Sequence, residues 1–148
     1  MIFIIDEDVI QMSSLKTEFQ FRNYKVEIIS NADDAWDLMI KRDDVELVII
    51  DIMLAAKPPN ISKYSRSGTR DYTTTGILLA EDLLIQFPQI FKGKIVYLSH
   101  TNENGLLNLI EKSAEDNDIT FLRKHNYASD MKLAEDILNS VNLSLEKE

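Results

Sequence analysis

Short apolar runs alternate with helical patterns five times along this chain. The runs are four or five residues long and rich in Val and Ile, which favours strands. They cover Ile2–Ile5, Val26–Ile29 and residues 47–50, 94–98 and 119–122. After each run, apolar residues recur at helical spacing. Strict alternation of strands and helices predicts a parallel sheet with helices on both faces, joined by right-handed crossovers. We therefore expect an α/β, doubly wound (βα)5 domain.

The composition excludes several classes of function. The 148 residues suit one domain and include no Cys, which rules out a thiolate metal site and a cysteine nucleophile. The net charge of -9 opposes the phosphate neutralisation on which nucleic-acid binding depends, so we expect no direct nucleic-acid binding. No apolar run approaches the ~20 residues that span a bilayer, and the acidic start does not resemble a signal peptide. We therefore expect a cytoplasmic protein without membrane insertion.

One stretch interrupts the alternation. Residues 55–75 are rich in Pro, Ser, Thr and Gly and show no apolar period, which is typical of a long loop. A helical pattern resumes at Thr75-Gly76, and we expect it to stop at Pro88. Residues 1–142 would form the domain, and residues 143–148 a charged, frayed tail.

Polar side chains follow four of the five predicted strands. Asp6 and Glu7 follow the first strand, and Asp51 ends the apolar third strand. Ser99 follows the fourth strand, and Lys124 comes shortly after the fifth. In open α/β sheets, ligands bind beyond the carboxyl ends of the strands. We expect these four segments to converge on one pocket.

The chemistry of this set points to phosphoryl transfer. Three carboxylates repel one another unless a cation lies among them, and a set of oxygen ligands suits a hard ion such as Mg²⁺. A metal ion, an ammonium and a hydroxyl together stabilise a transferring phosphoryl group. A carboxylate can also be the nucleophile. Asp51 is the candidate.

Together these motifs resemble the receiver domains of two-component response regulators, over nearly the whole chain apart from the loop. They are the Asp6-Glu7 pair, Asp51 in Ile-Ile-Asp-Ile-Met, Ser99 in Val-Tyr-Leu-Ser and Lys124 in Phe-Leu-Arg-Lys. The resemblance implies a flavodoxin-like strand order, 2-1-3-4-5. It also implies that Asp51 takes a phosphoryl group from a phosphohistidine of a histidine kinase or phosphotransfer protein.

The resemblance further implies a metal site. Glu7, Asp51 and the main-chain carbonyl of Met53 would bind Mg²⁺ directly, with Asp6 nearby or acting through water. Mn²⁺ is an alternative ion. Self-phosphorylation and self-dephosphorylation would be the only reactions of such a domain, which is a signalling module and not an enzyme.

The resemblance also assigns a switch and an output. Ser99 and Lys124 would contact the phosphoryl oxygens, and Ser99 would act with Phe121, which stands where the family keeps an aromatic that rotates inward on activation. The last strand and its flanking helices would bind a downstream protein that the sequence does not identify. A phosphorylation-dependent homodimer is a further expectation.

Three departures from the family pattern bear on access to Asp51. The loop at residues 55–75 lies on the active-site side, where it covers Asp51, selects partners or remains a mobile solvated segment. His100 stands where the family has a small residue, and we expect its bulk to slow hydrolysis or phosphorylation by small donors. His125 replaces the usual proline after the lysine, so we expect a trans Lys124–His125 bond.

Two alternatives stay open. A receiver fold that no longer accepts phosphate would act as a phosphate-independent binding module. A haloacid-dehalogenase-type phosphatase would use Asp6 as nucleophile and Asp8 as acid/base, although Ile10 stands where that family has a hydroxyl.

Overall fold

The sheet has the predicted architecture. The structure, a computed structural model, describes residues 1–54, 62–64, 68 and 72–148. Its strands are β1 (Ile2–Ile5), β2 (Val26–Ile29), β3 (Leu47–Asp51), β4 (Ile95–Ser99) and β5 (Thr120–Arg123). They are parallel throughout and lie in the order β2-β1-β3-β4-β5. The five-stranded, doubly wound α/β fold and its strand order are confirmed.

Helices cover both faces of the sheet. Within the described ranges they are α1 (Val9–Phe21), α2 (Ala32–Met39), α3 (Thr75–Gln86), α4 (Pro88–Phe91), α5 (Asn104–Asn117) and α6 (Asp130–Ser140). Five of them match predicted patterns, and α4 is additional. Pro88 ends the α3 pattern as expected, and its fixed φ then suits the first turn of α4. None of the helices in these ranges is long and apolar enough to cross a membrane.

Two apolar layers explain why the central strands read as continuous apolar runs. On one face, Met12 and Leu15 of α1 pack with Leu133 and Ile137 of α6. On the other face, residues of α2, α3 and α5 pack against alternate strand positions. Because β1, β3 and β4 are covered on both sides, their side chains are buried whichever way they point.

Side-chain caps begin the two helices that flank the carboxyl edge of the sheet. Asp8 accepts a hydrogen bond from the backbone of Gln11 at 3.1 Å, which starts α1 directly after the acidic residues. Ser129 accepts from the backbone of Lys132 at 3.3 Å and starts α6. These caps fix where the loops after β1 and β5 end.

The predicted loop lies largely outside the described residues, which leave out 55–61, 65–67 and 69–71. Its described segment 62–64 packs on α2. Ser62 donates a hydrogen bond to Asp33 at 2.8 Å, and the Lys63 ammonium lies 3.5 Å from the centre of the Trp36 ring. Tyr64 is 3% exposed and belongs to the core. The expectation of a solvated loop is therefore wrong for Tyr64, whereas Lys63 is exposed as expected. That the loop is mobile stays a prediction.

The chain returns from this loop through a close contact at Gly76. The Gly76 amide donates to the Ile52 carbonyl at 2.8 Å. A Cβ atom at this position would lie 2.1 Å from the backbone oxygen of Asp51. The absence of a side chain therefore allows the start of α3 to pack against the end of β3.

The prediction of a frayed tail is wrong. The Tyr24 hydroxyl donates to the Ser144 carbonyl at 2.6 Å, and the Asn23 amide donates to the Lys147 carbonyl at 3.0 Å. The Lys147 ammonium lies 2.8 Å from a Glu46 oxygen. The backbone carbonyls of Ser144, Leu145 and Lys147 thus accept from side chains of the α1–β2 turn, which holds the tail against the domain.

Candidate functional site

A cleft of about 250 Å³ opens where β1, β3 and β4 end. It brings together most of the residues that the sequence singled out, namely Asp6, Glu7, Asp51, Met53, Ser99, His100 and Lys124. Register explains the convergence, because Asp51 pairs with Leu98 beside Ser99, and Ser99 pairs with Arg123 beside Lys124.

Asp51 is a carboxylate whose ionised form the site disfavours. Burial, followed by the negative charge of Asp6, raises the pKa of Asp51 to about 7. The Lys124 ammonium acts in the opposite direction, Glu7 adds a further increase, and a hydrogen bond from the Met53 backbone lowers the pKa. The site therefore holds Asp51 partly protonated near neutral pH.

Lys124 is paired with Asp6 in this structure. Its ammonium lies 2.9 Å from Asp6 Oδ2, and both side chains are buried. The other Asp6 oxygen accepts the backbone N–H of Asp8 at 2.9 Å. Both oxygens of Asp6 thus have partners, which offsets the cost of burying this charge.

Ser99 presents a hydroxyl at the wall of the cleft. Its side chain is 2% exposed, and its oxygen accepts the backbone N–H of Thr101 at 3.2 Å. This bond orients the oxygen while leaving the hydroxyl proton available as a donor.

His100 lies at the mouth of the cleft and is exposed. Its Nε2 atom lies 3.2 Å from the Gln11 side-chain oxygen. Partial burial of the ring, followed by the nearby Lys124 ammonium, lowers the pKa of His100. The neutral ring, protonated at Nε2, can donate to Gln11.

Two predicted residues lie outside the cleft. Phe121 is partly buried and pairs with Tyr97 across the β4–β5 ladder. His125 is exposed in the short 3₁₀ turn at Lys124–Asn126. The Lys124–His125 bond is trans, as predicted, since the described part of the chain contains no cis peptide bond.

Two cleft residues were missed from sequence, namely Gln11 and Thr101. Asp8 also lines the cleft, although the sequence named it only as the acid/base of the phosphatase alternative. Gln11 lies in the first turn of α1, directly after the acidic residues, so its closeness to the strand end was an available signal. Thr101 is two residues beyond Ser99 in an irregular segment and carried no signal.

The cleft contains the chemical groups that bind a divalent cation, but their present arrangement does not match such a site. Carboxylates and a main-chain carbonyl are the ligands that Mg²⁺ prefers. Glu7 is exposed, however, and Asp6 faces Lys124. Over the described ranges, no three His, Asp or Glu side chains form a metal-holding group. The metal site stays a prediction that requires side-chain movement.

Comparison by sequence finds no relative: no protein-family model matches the chain, and no curated protein does. Comparison by structure finds similar proteins. A CheY-like response regulator receiver domain protein from Methanospirillum hungatei JF-1 has a TM-score of 0.65 and 19% identity, covering 95% of this chain and 92% of that one. The receiver domain of NtrX from Brucella abortus has a TM-score of 0.66 and 16% identity, with coverage of 97% and 100%.

A third similar structure is the Francisella response regulator 1452 receiver domain, with a TM-score of 0.65 and 18% identity. It covers 95% of this chain and 95% of that one. The similarity thus extends over almost the whole domain on both sides of each comparison. The chain has the doubly wound fold of response regulator receiver domains.

Proposed function

We propose that this protein is a phosphorylation-controlled receiver in two-component signalling. One observation carries the proposal: Asp51, Ser99 and Lys124 come from three different strand ends and line one cleft together with three further acids. A nucleophilic carboxylate beside an ammonium and a hydroxyl is the arrangement that phosphoryl transfer to protein requires.

In the proposed reaction, an ionised Asp51 oxygen attacks the phosphorus of a phosphohistidine on a histidine kinase or phosphotransfer protein. An O–P bond forms and the N–P bond breaks, so the histidine nitrogen keeps the electron pair and takes up a proton. Lys124 would leave Asp6 to contact the phosphoryl oxygens, and the Ser99 hydroxyl would donate to another.

We infer that Mg²⁺, or Mn²⁺ in its place, supports this reaction. Glu7, Asp51 and the Met53 carbonyl would hold the ion, with Asp6 nearby or acting through water. When bound, the ion would neutralise charge on the phosphoryl oxygens and favour the ionised form of Asp51. The raised pKa of Asp51 supports this inference, because burial, followed by the charge of Asp6, disfavours the ionised form that a bound cation would stabilise.

A similar structure supports the proposed phosphorylated state. A Burkholderia pseudomallei response regulator, 19% identical with a TM-score of 0.62, carries a phosphorylated aspartic acid and a calcium ion. It covers 95% of this chain, which spans 68% of that protein.

We further propose that the phosphorylated domain acts through protein–protein contacts. Ser99 and Phe121 would transmit the change to β5 and its flanking helices α5 and α6, where a downstream protein or a second copy would bind. The protein would catalyse only its own phosphorylation and dephosphorylation, in the cytoplasm.

The test is intact-mass measurement after incubation with Mg²⁺ and a phosphorylated histidine phosphotransfer protein. We expect a gain of one alkali-labile phosphate, which the Asp51→Asn variant does not show. A gain kept in Asp51→Asn but lost in Asp6→Asn would favour the haloacid-dehalogenase-type phosphatase. No gain with any histidine donor or acyl phosphate would favour a phosphate-independent binding module.

A further inference from the structure

A hydrogen bond joins two residues that line the phosphoacceptor cleft. His100 Nε2 and Gln11 Oε1 lie 3.2 Å apart, although the two residues are 89 positions apart in sequence. Gln11 is held in place by its own backbone bond to Asp8 in the first turn of α1. His100 directly follows the last residue of β4.

Strand order places the two partners around the phosphoacceptor strand. The sheet runs β2-β1-β3-β4-β5, so β3 lies between the strand that leads into α1 and the strand that precedes His100. The bond therefore links the two segments that follow the neighbours of β3, and both of its residues line the same cleft as Asp51. Asp51 is the last residue of β3.

A second cavity adjoins the cleft on the side of α1 and α6. Its volume is about 380 Å³, and it lies between α1 and the segment that leads into α6. Three residues line both this cavity and the cleft: Gln11, His100 and Lys124. The hydrogen-bonded pair therefore stands at the boundary between the two spaces.

We propose that Gln11 and His100 form a gate that restricts the approach of water from the α1–α6 cavity to the phosphorylated Asp51. The proposal rests on the proposed function and names a control on that site. Hydrolysis adds water at phosphorus, breaks the P–O bond to Asp51, releases inorganic phosphate and returns the carboxylate. Gln11 is a positioning residue, because it acts by holding His100.

The gate depends on the hydrogen bond as well as on the bulk of the imidazole ring. Both side chains are exposed, so packing alone does not restrain them. Without Gln11, His100 keeps its size but loses the contact that holds it at the boundary between the cleft and the cavity. The gate therefore predicts that changing either partner has a similar effect.

The first test measures the half-life of phosphorylated protein in Mg²⁺ by intact mass after removal of the donor. We expect Gln11→Ala and His100→Ala each to shorten it roughly threefold to tenfold, the scale of one side-chain hydrogen bond. The double variant should match the larger single effect, because the pair acts as a unit. His100→Gln keeps an amide donor of similar reach and should stay close to the wild-type half-life.

Asn102→Ala is the matched control. Asn102 lies in the same loop and accepts a hydrogen bond from Arg123 at 3.0 Å, but it does not line the cleft. We expect this variant to hydrolyse at the wild-type rate. Additive effects of Gln11→Ala and His100→Ala, or no effect from Gln11→Ala, would overturn the gate.

The second test does not depend on phosphorylation. A water-soluble carbodiimide and an amine modify accessible carboxyl groups, and peptide mass measurement reports the modification of Asp51. In a metal-free buffer, we expect Gln11→Ala and His100→Ala to raise the labelling rate at Asp51 at least threefold, with Asp136 as an internal reference. If the wild type accepts no phosphate, the proposed function fails, and this measurement alone decides the gate. Unchanged labelling would overturn it.

Discussion

The Lys124 ammonium lies 2.9 Å from Asp6 Oδ2, and the two side chains form a buried ion pair beside Asp51. Among the described residues, this pairing leaves Asp51 without an ion-pair partner, and burial followed by the charge of Asp6 raises the pKa of Asp51. In the proposed reaction, the same ammonium exchanges Asp6 for phosphoryl oxygens. The resting contact therefore holds Lys124 close to the position where it is needed.

Replacing Lys124 by Met should destabilise the domain. Asp6 would remain buried without its partner, and breaking a buried pair in this way costs about 3–5 kcal/mol. Urea unfolding at pH 8 measures the change. Lys112→Met is the control, because it breaks an exposed pair with Asp116 and should cost less than about 1 kcal/mol. Equal effects of the two substitutions would contradict the role of burial.

Stability in the absence of metal should fall as pH rises from about 4 to about 7. The pKa of Asp51 is about 7 in the folded chain, above its ordinary value of 3.8. The folded state therefore binds this proton more tightly than the unfolded state does. The stabilisation is complete below pH 4 and is lost as pH rises through 7.

Asp51→Asn should remove this pH dependence. We expect the variant to be more stable than wild type at pH 8, by as much as about 4 kcal/mol if the whole shift reports on folding. Urea unfolding from pH 4 to 8 in the presence of a chelator measures both proteins. A variant with the wild-type slope between pH 4 and 7 would show that another group titrates.

Mg²⁺ should raise the free energy of unfolding of the wild type. An ion present at 100 times its Kd adds about 2.7 kcal/mol, and a chelator should reverse the effect. Glu7→Gln and Asp51→Asn should reduce the response, because each removes a proposed ligand. Asp116→Asn, on the exposed face of α5, should respond as wild type does. A full response in Asp51→Asn would place the ion elsewhere.

Gly76→Ala should destabilise the domain by about 1–3 kcal/mol, the usual cost of overpacking. The new Cβ would lie 2.1 Å from the Asp51 carbonyl oxygen and 2.8 Å from Ile52 Cα, so backbone must move. Phosphorylation of Asp51 should also slow, because the backbone that must move includes Asp51. Gly105→Ala is the matched control, because its nearest contact is the flexible Glu103 side chain. Thermal unfolding distinguishes the two.

Two buried tyrosines should respond in opposite ways to loss of the hydroxyl. Within the described ranges, the Tyr64 hydroxyl has no hydrogen-bond partner, whereas the Tyr97 hydroxyl bonds Ser113 Oγ at 2.9 Å. We expect Tyr64→Phe to be neutral or slightly stabilising. Tyr97→Phe should cost about 1 kcal/mol. Urea unfolding measures both, and a loss of stability in Tyr64→Phe would contradict the assignment of its hydroxyl.

The sheet and the convergence of the site were predictable because both follow from strong local signals. Apolar runs define the strands, and alternation with helices brings Asp6, Asp51 and Ser99 to one edge. The choice of partners within the cleft was not predictable. Whether Lys124 meets Asp6 or Asp51, and whether His100 meets Gln11, depends on side-chain rotamers in three dimensions.

The docked segments had no usable sequence signal either. Lys63 and Tyr64 lie among Ser, Arg and Gly, a composition typical of a mobile loop. Only the position of Asp33, Trp36 and Asp82 on the helices beneath explains why they bind. The tail is held through its backbone carbonyls, and such bonds leave no mark on the sequence.

The contact between Gly76 and Ile52 has a consequence for how this chain tolerates variation. Their hydrogen bond of 2.8 Å closes the long β3–α3 connection at its base, independently of what lies between. Lengthening a flexible loop costs only about 0.6 kcal/mol per doubling. New sequence can therefore enter this connection without moving Asp51, so the connection can vary in length and composition while the end of β3 keeps its place.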